Sequence, residues 1–220
     1  MMLIQKVFRF LRRKVRIYVF RDEHLLAGRR WFRDNPNNEL LFEHSLTKDS
    51  FVLDAGGYLG DYAAEIRSRY DCKVLILEPV LEFFEQIEKR FEYDDKVEVI
   101  NVGLAHVSGS ASISLAANSS SIKSASGGRL EQIALLSFRD LVERFDLERI
   151  DLVKMNIEGS EFDVLPSMLN SSIDIKCYLV QFHKIDKASS SRRSVIRRKM
   201  SEAYDENWNY YFVWEKWSKL

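Results

Sequence analysis

Apolar positions along this 220-residue chain change their period repeatedly. Short apolar runs alternate with stretches in which apolar residues recur every three or four positions. Phe51-Val-Leu, Lys73-Val-Leu-Ile-Leu77, Val97-Glu-Val-Ile-Asn101, Ile150-Asp-Leu-Val and Cys177-Tyr-Leu-Val have the length of strands, and the near-continuous runs read as strands buried on both faces. Tyr62 to Arg69, Val80 to Phe91 and Phe138 to Phe145 read as helices, and another begins at about Ser160. In the second of these, Phe83, Phe84, Ile87 and Phe91 form the buried stripe. Leu165-Pro166 is expected to shorten the helix that starts near Ser160. Arg192 to Tyr204 is a further helix with a basic outer side. Strands alternating with helices predict an α/β domain with a mostly parallel sheet.

Other segments follow different patterns. Met1 to Phe20 places Ile4, Val7, Phe8, Leu11, Val15 and Tyr18 at helical spacing, with Gln5, Arg9, Arg12, Arg13 and Arg16 between them. This is a basic amphipathic helix. It either lies on an anionic membrane surface or cradles an anionic partner, or it docks its apolar side on the core and leaves its arginines in water. Asp34-Asn-Pro36-Asn-Asn38 is a turn cluster and the clearest linker. It divides residues 1–38, an N-terminal extension, from a domain over 39–220. Glu39 to Leu46 reads as a short helix with Leu40, Leu41 and Leu46 inward. Ser112-Ile-Ser-Leu115 alternates like an exposed strand, and Ile133-Ala-Leu-Leu136 can pair with it. The serine- and glycine-rich stretch 118–128 between them is a substrate lid or an inert connection. Ser137 can cap the helix that follows. Asn209 to Trp217 is aromatic and β-prone, and reads as one terminal strand with packing aromatics.

Composition narrows the class. A hydrophobic content of 46% supports a real core. Two cysteines make no disulfide framework and fit a reducing cytosol. No stretch reads as a signal peptide or membrane span, since charge interrupts every long apolar run. The expected location is cytoplasmic, peripheral to a membrane if the N-terminal helix binds one. Net charge is zero but uneven. Residues 1–33 hold ten Lys/Arg and two Asp/Glu, a balance of +8, so the remainder carries −8. That asymmetry assigns an anionic partner to the N-terminus and disfavours nucleic-acid binding by the domain. No Asn/Asp-Pro-Pro-aromatic motif for exocyclic amines is present.

The candidate chemistry gathers where strands end. Phe51-Val-Leu-Asp54-Ala-Gly56-Gly57-Tyr58-Leu-Gly60-Asp61 runs from a strand through a glycine-rich turn into a helix. Its pattern is D-x-G-x-x-x-G. A dinucleotide fingerprint starting at Gly56 would need glycines where Tyr58 and Asp61 stand. Small residues let a ligand approach the backbone, and a helix start offers free N–H groups. Asp54 disfavours a phosphate but can pair with an ammonium or hold hydroxyls. S-adenosyl-L-methionine carries an amino-acid ammonium and no phosphate, so it suits this turn. Glu78, before Pro79, ends the next strand and is placed to accept both hydroxyls of a ribose. Asn101 or the nearby backbone would meet an adenine, or the asparagine simply holds its turn. Asp54, Glu78, Asn101, Asn156, Glu158, Gln181 and His183 all fall at strand ends, where ligands of open parallel sheets bind.

The segment Val52 to Gly60, the Glu78-Pro79 pair, the run Ile150-Asp-Leu-Val-Lys-Met-Asn-Ile-Glu-Gly-Ser-Glu-Phe-Asp-Val-Leu165 and Phe182-His183 resemble the FkbM family of S-adenosylmethionine-dependent methyltransferases. The resemblance covers roughly residues 40–185. It implies a class I methyltransferase-like (Rossmann-like) three-layer sandwich and O-methylation of a saccharide, glycolipid or natural product. It further implies that Asp54, Gly56 and Gly60, with the adjoining Gly57 and Tyr58, bind the methionine part, that Glu78 binds the ribose, and that the 154–161 turn and His183 border the acceptor. Two positions depart from the family pattern. Asn156 stands where Lys-x-Asp-x-Glu-Gly has aspartate, and Gln181 stands where glutamate commonly precedes Phe-His. Both remove negative charge beside the transfer site. They motivate a second reading, a cofactor-binding scaffold or membrane-associated partner with little transferase activity. The neutral amides also argue against a bound metal. His183 is then the expected base, since an imidazole can take a hydroxyl proton near neutral pH. Glu158 is next in line, and Glu158 and Glu161 are expected to face apart or to cap the following helix.

Overall fold

The structure is a computed structural model and describes residues 22–116, 119–121 and 129–220. The basic stretch 1–20 and most of the 118–128 segment lie outside these residues.

Helix α1 (Glu23–Asp34) opens the described chain, capped by Asp22, whose side chain accepts from the Leu25 N–H. A 3-10 turn at Glu39–Leu41 replaces the longer helix expected over 39–46. Three residues suffice because Leu41, Phe42 and Leu46 reach the core without a continuous helix. The α/β alternation then runs β1 (Phe51–Ala55), α2 (Asp61–Tyr70), β2 (Lys73–Leu77), α3 (Leu81–Arg90) and β3 (Val97–Ile100). Only Ile87 of the expected α3 stripe is fully buried; Phe83, Phe84 and Phe91 are half-buried.

A second, smaller sheet interrupts the alternation. It comprises β4 (Gly103–Ala105), β5 (Gly109–Ala116), β6 (Ser119–Ser121) and β7 (Arg129–Ser137), in the order β4-β7-β5-β6. The expected pairing of 112–115 with the strand near 133 holds, with Ser112 opposite Gln132 and Ala111 opposite Ile133. Helix α4 (Phe138–Phe145) is capped by Ser137, which accepts from the Asp140 N–H. The chain continues through β8 (Arg149–Ile150), β9 (Leu152–Met155), α5 (Glu161–Leu169), β10 (Asp174–Ile175), β11 (Cys177–Val180) and α6 (Ser189–Met200). It ends in a hairpin of β12 (Tyr204–Tyr210) and β13 (Trp214–Lys219).

Two expectations change here. Helix α5 continues three residues past Pro166, because Phe162, Val164, Leu165 and Met168 are all buried and offset the lost hydrogen bond. The terminal aromatic segment is two antiparallel strands, with a turn in which Phe212 adopts φ +54° and the Val213 N–H bonds the Tyr210 carbonyl.

The main sheet has the order β12-β13-β11-β9-β1-β2-β3. Its neighbours from β11 to β3 are parallel, and only the pairs made by β13 are antiparallel. Strand alternation sorts the core into two faces. Leu53, Ala55, Leu75, Leu77, Val153 and Met155 pack with α4, α5 and α6 on one side. Val52, Val74, Ile76 and Leu152 pack with α2 and Ile87 of α3 on the other. The result is a three-layer α/β sandwich with a mostly parallel central sheet. No helix among the described residues is long and apolar enough to cross a membrane.

Candidate active site

Five parallel strands end at one edge of the sheet, and backbone bonds tie the turns beyond them together. Glu78 N–H donates to the Ile100 carbonyl at 3.1 Å, Gly56 to Leu77 at 2.9 Å, Asn156 to Ala55 at 3.0 Å and Gln181 to Met155 at 2.9 Å. Residues far apart in sequence thereby share one rim.

The glycine turn is sterically closed to other residues. Gly56 has φ +86°, and a Cβ there would come within 2.1 Å of the Asn156 carbonyl oxygen. A Cβ on Gly57 would lie 2.3 Å from the Ile76 side chain. Gly60, φ +76°, starts α2 in the left-handed region. Tyr58 also has positive φ, +52°, which costs a non-glycine residue about 1–2 kcal/mol. Its ring is exposed and stands edge-on to Phe83, with centroids 4.6 Å apart.

Asp54 and Lys154 are directly opposite in the β1–β9 register. Both are buried, and the Lys154 ammonium donates to Asp54 Oδ1 at 2.8 Å and to the Gly56 carbonyl at 2.7 Å. The lysine thus braces the strand end and the glycine turn at once, with the Tyr62 ring 5.4 Å from its nitrogen. Burial pushes the Asp54 carboxyl up and Lys154 pulls it back. Asp54 Oδ2 is buried without a hydrogen-bond partner. Sequence reasoning passed over Lys154. Its signal was a lysine inside an apolar strand, since a buried ammonium needs a carboxylate.

Glu78 is 5% exposed. One carboxylate oxygen accepts from Tyr58 N–H at 2.8 Å and the other from Val80 N–H at 2.9 Å. Burial raises its pKa to about 7, partly countered by those two hydrogen bonds. Glu78 therefore ties the glycine turn to the start of α3. Asn101 spends its amide hydrogens on the Glu78 and Pro79 carbonyls, at 2.9 and 3.0 Å. Of its two readings, turn-holding is the one this geometry carries.

Beyond β9 and β11 the acidic and imidazole groups converge. His183 Nδ1 contacts Glu161 Oε1, and His183 Nε2 lies 3.6 Å from Glu158 Oε1. Glu158 and Glu161 do not face apart: the first turn of α5 carries Glu161 beneath the ring, and Glu158 turns back in the left-handed region, φ +52°. Gly159, φ +104°, completes that turn against Ile185. Glu161 is fully buried and its second oxygen has no partner. Burial alone would lower the His183 pKa, but the Glu161 hydrogen bond and the charges of Glu161 and Glu158 override it and raise it. Burial also raises Glu158, with His183 opposing. Asn156 Oδ1 is a buried acceptor without a partner on the same rim. Among the described residues, no cluster of three or more His, Cys, Asp or Glu could hold a metal ion.

Comparisons with known proteins bear on the family and the fold. The Methyltransferase FkbM domain model matches residues 54–203. Among curated proteins none matches significantly in sequence. A dimethyladenosine transferase from Plasmodium falciparum superposes with a TM-score of 0.51 at 12% identity, covering 83% of this chain and 60% of its own. An rRNA methylase from Streptococcus thermophilus gives 0.50 at 12% identity, covering 84% and 95%. TrmK of M. capricolum, solved with S-adenosyl-homocysteine, gives 0.50 at 11% identity, covering 83% and 66%. Likeness at this identity establishes the fold, that of the class I methyltransferases. The match over residues 54–203 places the chain in the FkbM family of S-adenosylmethionine-dependent methyltransferases.

Proposed function

We propose that the protein methylates a hydroxyl group, on a saccharide, glycolipid or natural product, without a metal ion. The observation that carries this reading is the pair of buried Glu161 and half-buried His183 on the same sheet edge as the glycine turn and Glu78.

The residues at that edge fit the methyl donor. Asp54 Oδ2 and Asn156 Oδ1 are buried acceptors that lack donors. The left-handed turn at Gly56 admits a ligand close to its backbone. Glu78 would accept the ribose hydroxyls, and Asp54 with the turn at Gly56, Gly57, Tyr58 and Gly60 would hold the amino-acid end. When bound, the donor supplies a methyl on a cationic sulfur. The chain must then align an acceptor oxygen with that methyl and remove the hydroxyl proton. Alignment can contribute several kcal/mol, and a positioned base about 10²–10⁴-fold.

His183 Nε2 is the group for the proton. Glu161 Oε1 faces Nδ1, so in the neutral ring the hydrogen would sit there and leave the Nε2 lone pair toward Glu158 and the rim. The two carboxylates address opposite nitrogens of one ring, so they offer no shared point at which a hard cation could collect several oxygens. A nucleic-acid acceptor is disfavoured by the −8 balance of the chain beyond residue 33.

Incubation with methyl-labelled donor and separate glycan, glycolipid and RNA fractions of the host tests the reading. Label in a saccharide-bearing product is expected, unaffected by chelator and lost in His183→Gln. Label only in RNA would overturn the acceptor class. Binding of the donor without transfer to any fraction would favour the scaffold reading.

A further inference from the structure

We propose that Glu161 is the positioning residue of His183: its buried carboxylate fixes the ring through Nδ1 and supplies the negative charge that Asn156 and Gln181 do not. This deepens the proposed reaction and rests on His183 being its base.

Three observations carry the assignment. Glu161 is fully buried, yet among the described residues its only side-chain hydrogen-bond partner is the imidazole. A carboxylate taken from water without compensation costs several kcal/mol, so a lone buried glutamate in the first turn of α5 needs a cationic or strongly donating partner. The helix start itself favours an acidic group there. Its capping role is not what the side chain does, because α5 begins without a side-chain cap bond and Glu161 points at the ring.

Second, the ring is held between two acids with unlike surroundings. Glu161 is sealed under Nδ1, while the Glu158 side chain is 38% exposed beside Nε2. The buried acid therefore sets the tautomer, and the exposed side faces any acceptor. Third, the cations nearby are engaged elsewhere. Arg192 stacks 4.3 Å over Phe162 and bonds Asp186, and Arg193 bonds Glu215 and stacks near Phe182. The charges that act on His183 from the packed elements are those of Glu161 and Glu158.

The step couples proton and methyl transfer: the acceptor oxygen forms its bond to the methyl as the donor's S–CH3 bond breaks, that bond's electron pair stays on the sulfur as a neutral thioether, and the hydroxyl O–H bond breaks with its proton going to Nε2. Glu161 keeps its charge and balances the imidazolium that forms. This is how a carboxylate serves a neighbouring histidine in other proton transfers.

The test needs no acceptor. Histidine nitrogens of the full chain are followed by NMR through a pH titration, with His183 assigned by its loss in His183→Gln. The wild-type neutral ring is expected as the Nδ1–H tautomer, titrating above an ordinary histidine. Glu161→Gln should lower the midpoint, and Glu161→Asp should restore most of it. Binding of S-adenosyl-homocysteine should stay within about twofold in both variants. With an acceptor in hand, Glu161→Gln should lower kcat while leaving KM nearly unchanged, and should move the acid limb of the pH profile downward. An unmoved midpoint and tautomer in folded Glu161→Gln overturn the proposal. If Glu161→Gln does not fold, a wild-type His183 found as the Nε2–H tautomer, or titrating no higher than an ordinary histidine, overturns it. Should His183→Gln still transfer methyl, the proposed chemistry falls by a result separate from the NMR.

Discussion

The carboxyl group of Glu78 is the residue whose environment has the clearest consequence in solution. It is buried in the free protein with its pKa raised to about 7. A carboxyl raised on folding contributes stability below its unfolded pKa and loses that contribution as pH rises through the folded value. Glu78 therefore stabilises the free protein in acid and ceases to do so by about pH 7. Ribose hydroxyls require the ionised form as acceptor. Donor binding near pH 6 should then release a proton, and affinity should weaken as pH falls below about 7. Calorimetry in buffers of different ionisation enthalpy measures that release directly. Glu78→Gln should abolish it and, like Asp54→Ala, weaken binding by about 10–100-fold, the worth of one charged hydrogen bond. Full affinity in both variants, with the fold intact, would remove these residues from the cofactor site.

Helix α1 shows what an element can decide. Its Trp31 is 3% exposed, tilted against Trp208 at 5.8 Å and edge-on to Tyr210 at 5.2 Å. The adjacent Phe32 is 72% exposed. Trp31→Ala should cost about 3–5 kcal/mol of unfolding free energy, through the cavity it leaves. Phe32→Ala should stay within about 0.5 kcal/mol. Urea unfolding of both variants separates a helix that belongs to the fold from one that merely lies on it. Equal, small effects would show that α1 is dispensable. Periodicity marked the βα units but not this helix, because its apolar residues are few and its docking surface is a hairpin. That hairpin was itself hidden. Tyr211-Phe212-Val213 contains no glycine, proline or asparagine, so no turn residue marks the reversal.

At the scale of the molecule, the basic residues 1–20 lie outside the described residues and precede α1 in sequence. His24, in the first turn of α1, lies 6.4 Å from Phe212 at the hairpin tip. That tip follows β12, which runs parallel to β11, so it sits on the edge that bears His183. From their charge alone we propose that an anionic membrane attracts residues 1–20. Sedimentation with liposomes should require acidic lipid and fade as salt rises. Removing residues 1–20 should abolish it while leaving thermal unfolding unchanged. Sedimentation that ignores lipid charge, or a truncated chain that is unfolded, would instead make the segment part of the core.

What local sequence determined is what local physics controls. The period changes placed β1, β2, β9, β11 and the helices between them, since burial of a strand or helix face is written in its own residues. The Gly56–Gly60 turn and the strand-end positions of Glu78, Asn156 and His183 were legible for the same reason. What only the tertiary structure decided are relations across the sheet. Asp54 meets Lys154 because β1 and β9 are neighbours in register, a pairing no periodicity encodes. Glu161 reaches His183 because α5 starts beneath the end of β11, and its buried charge finds a partner there instead of solvent. Pro166 stays inside a helix because long-range burial of Phe162, Leu165 and Met168 outweighs a local penalty. Local pattern thus chose the elements and their ends, while strand order and packing chose which of those ends act together.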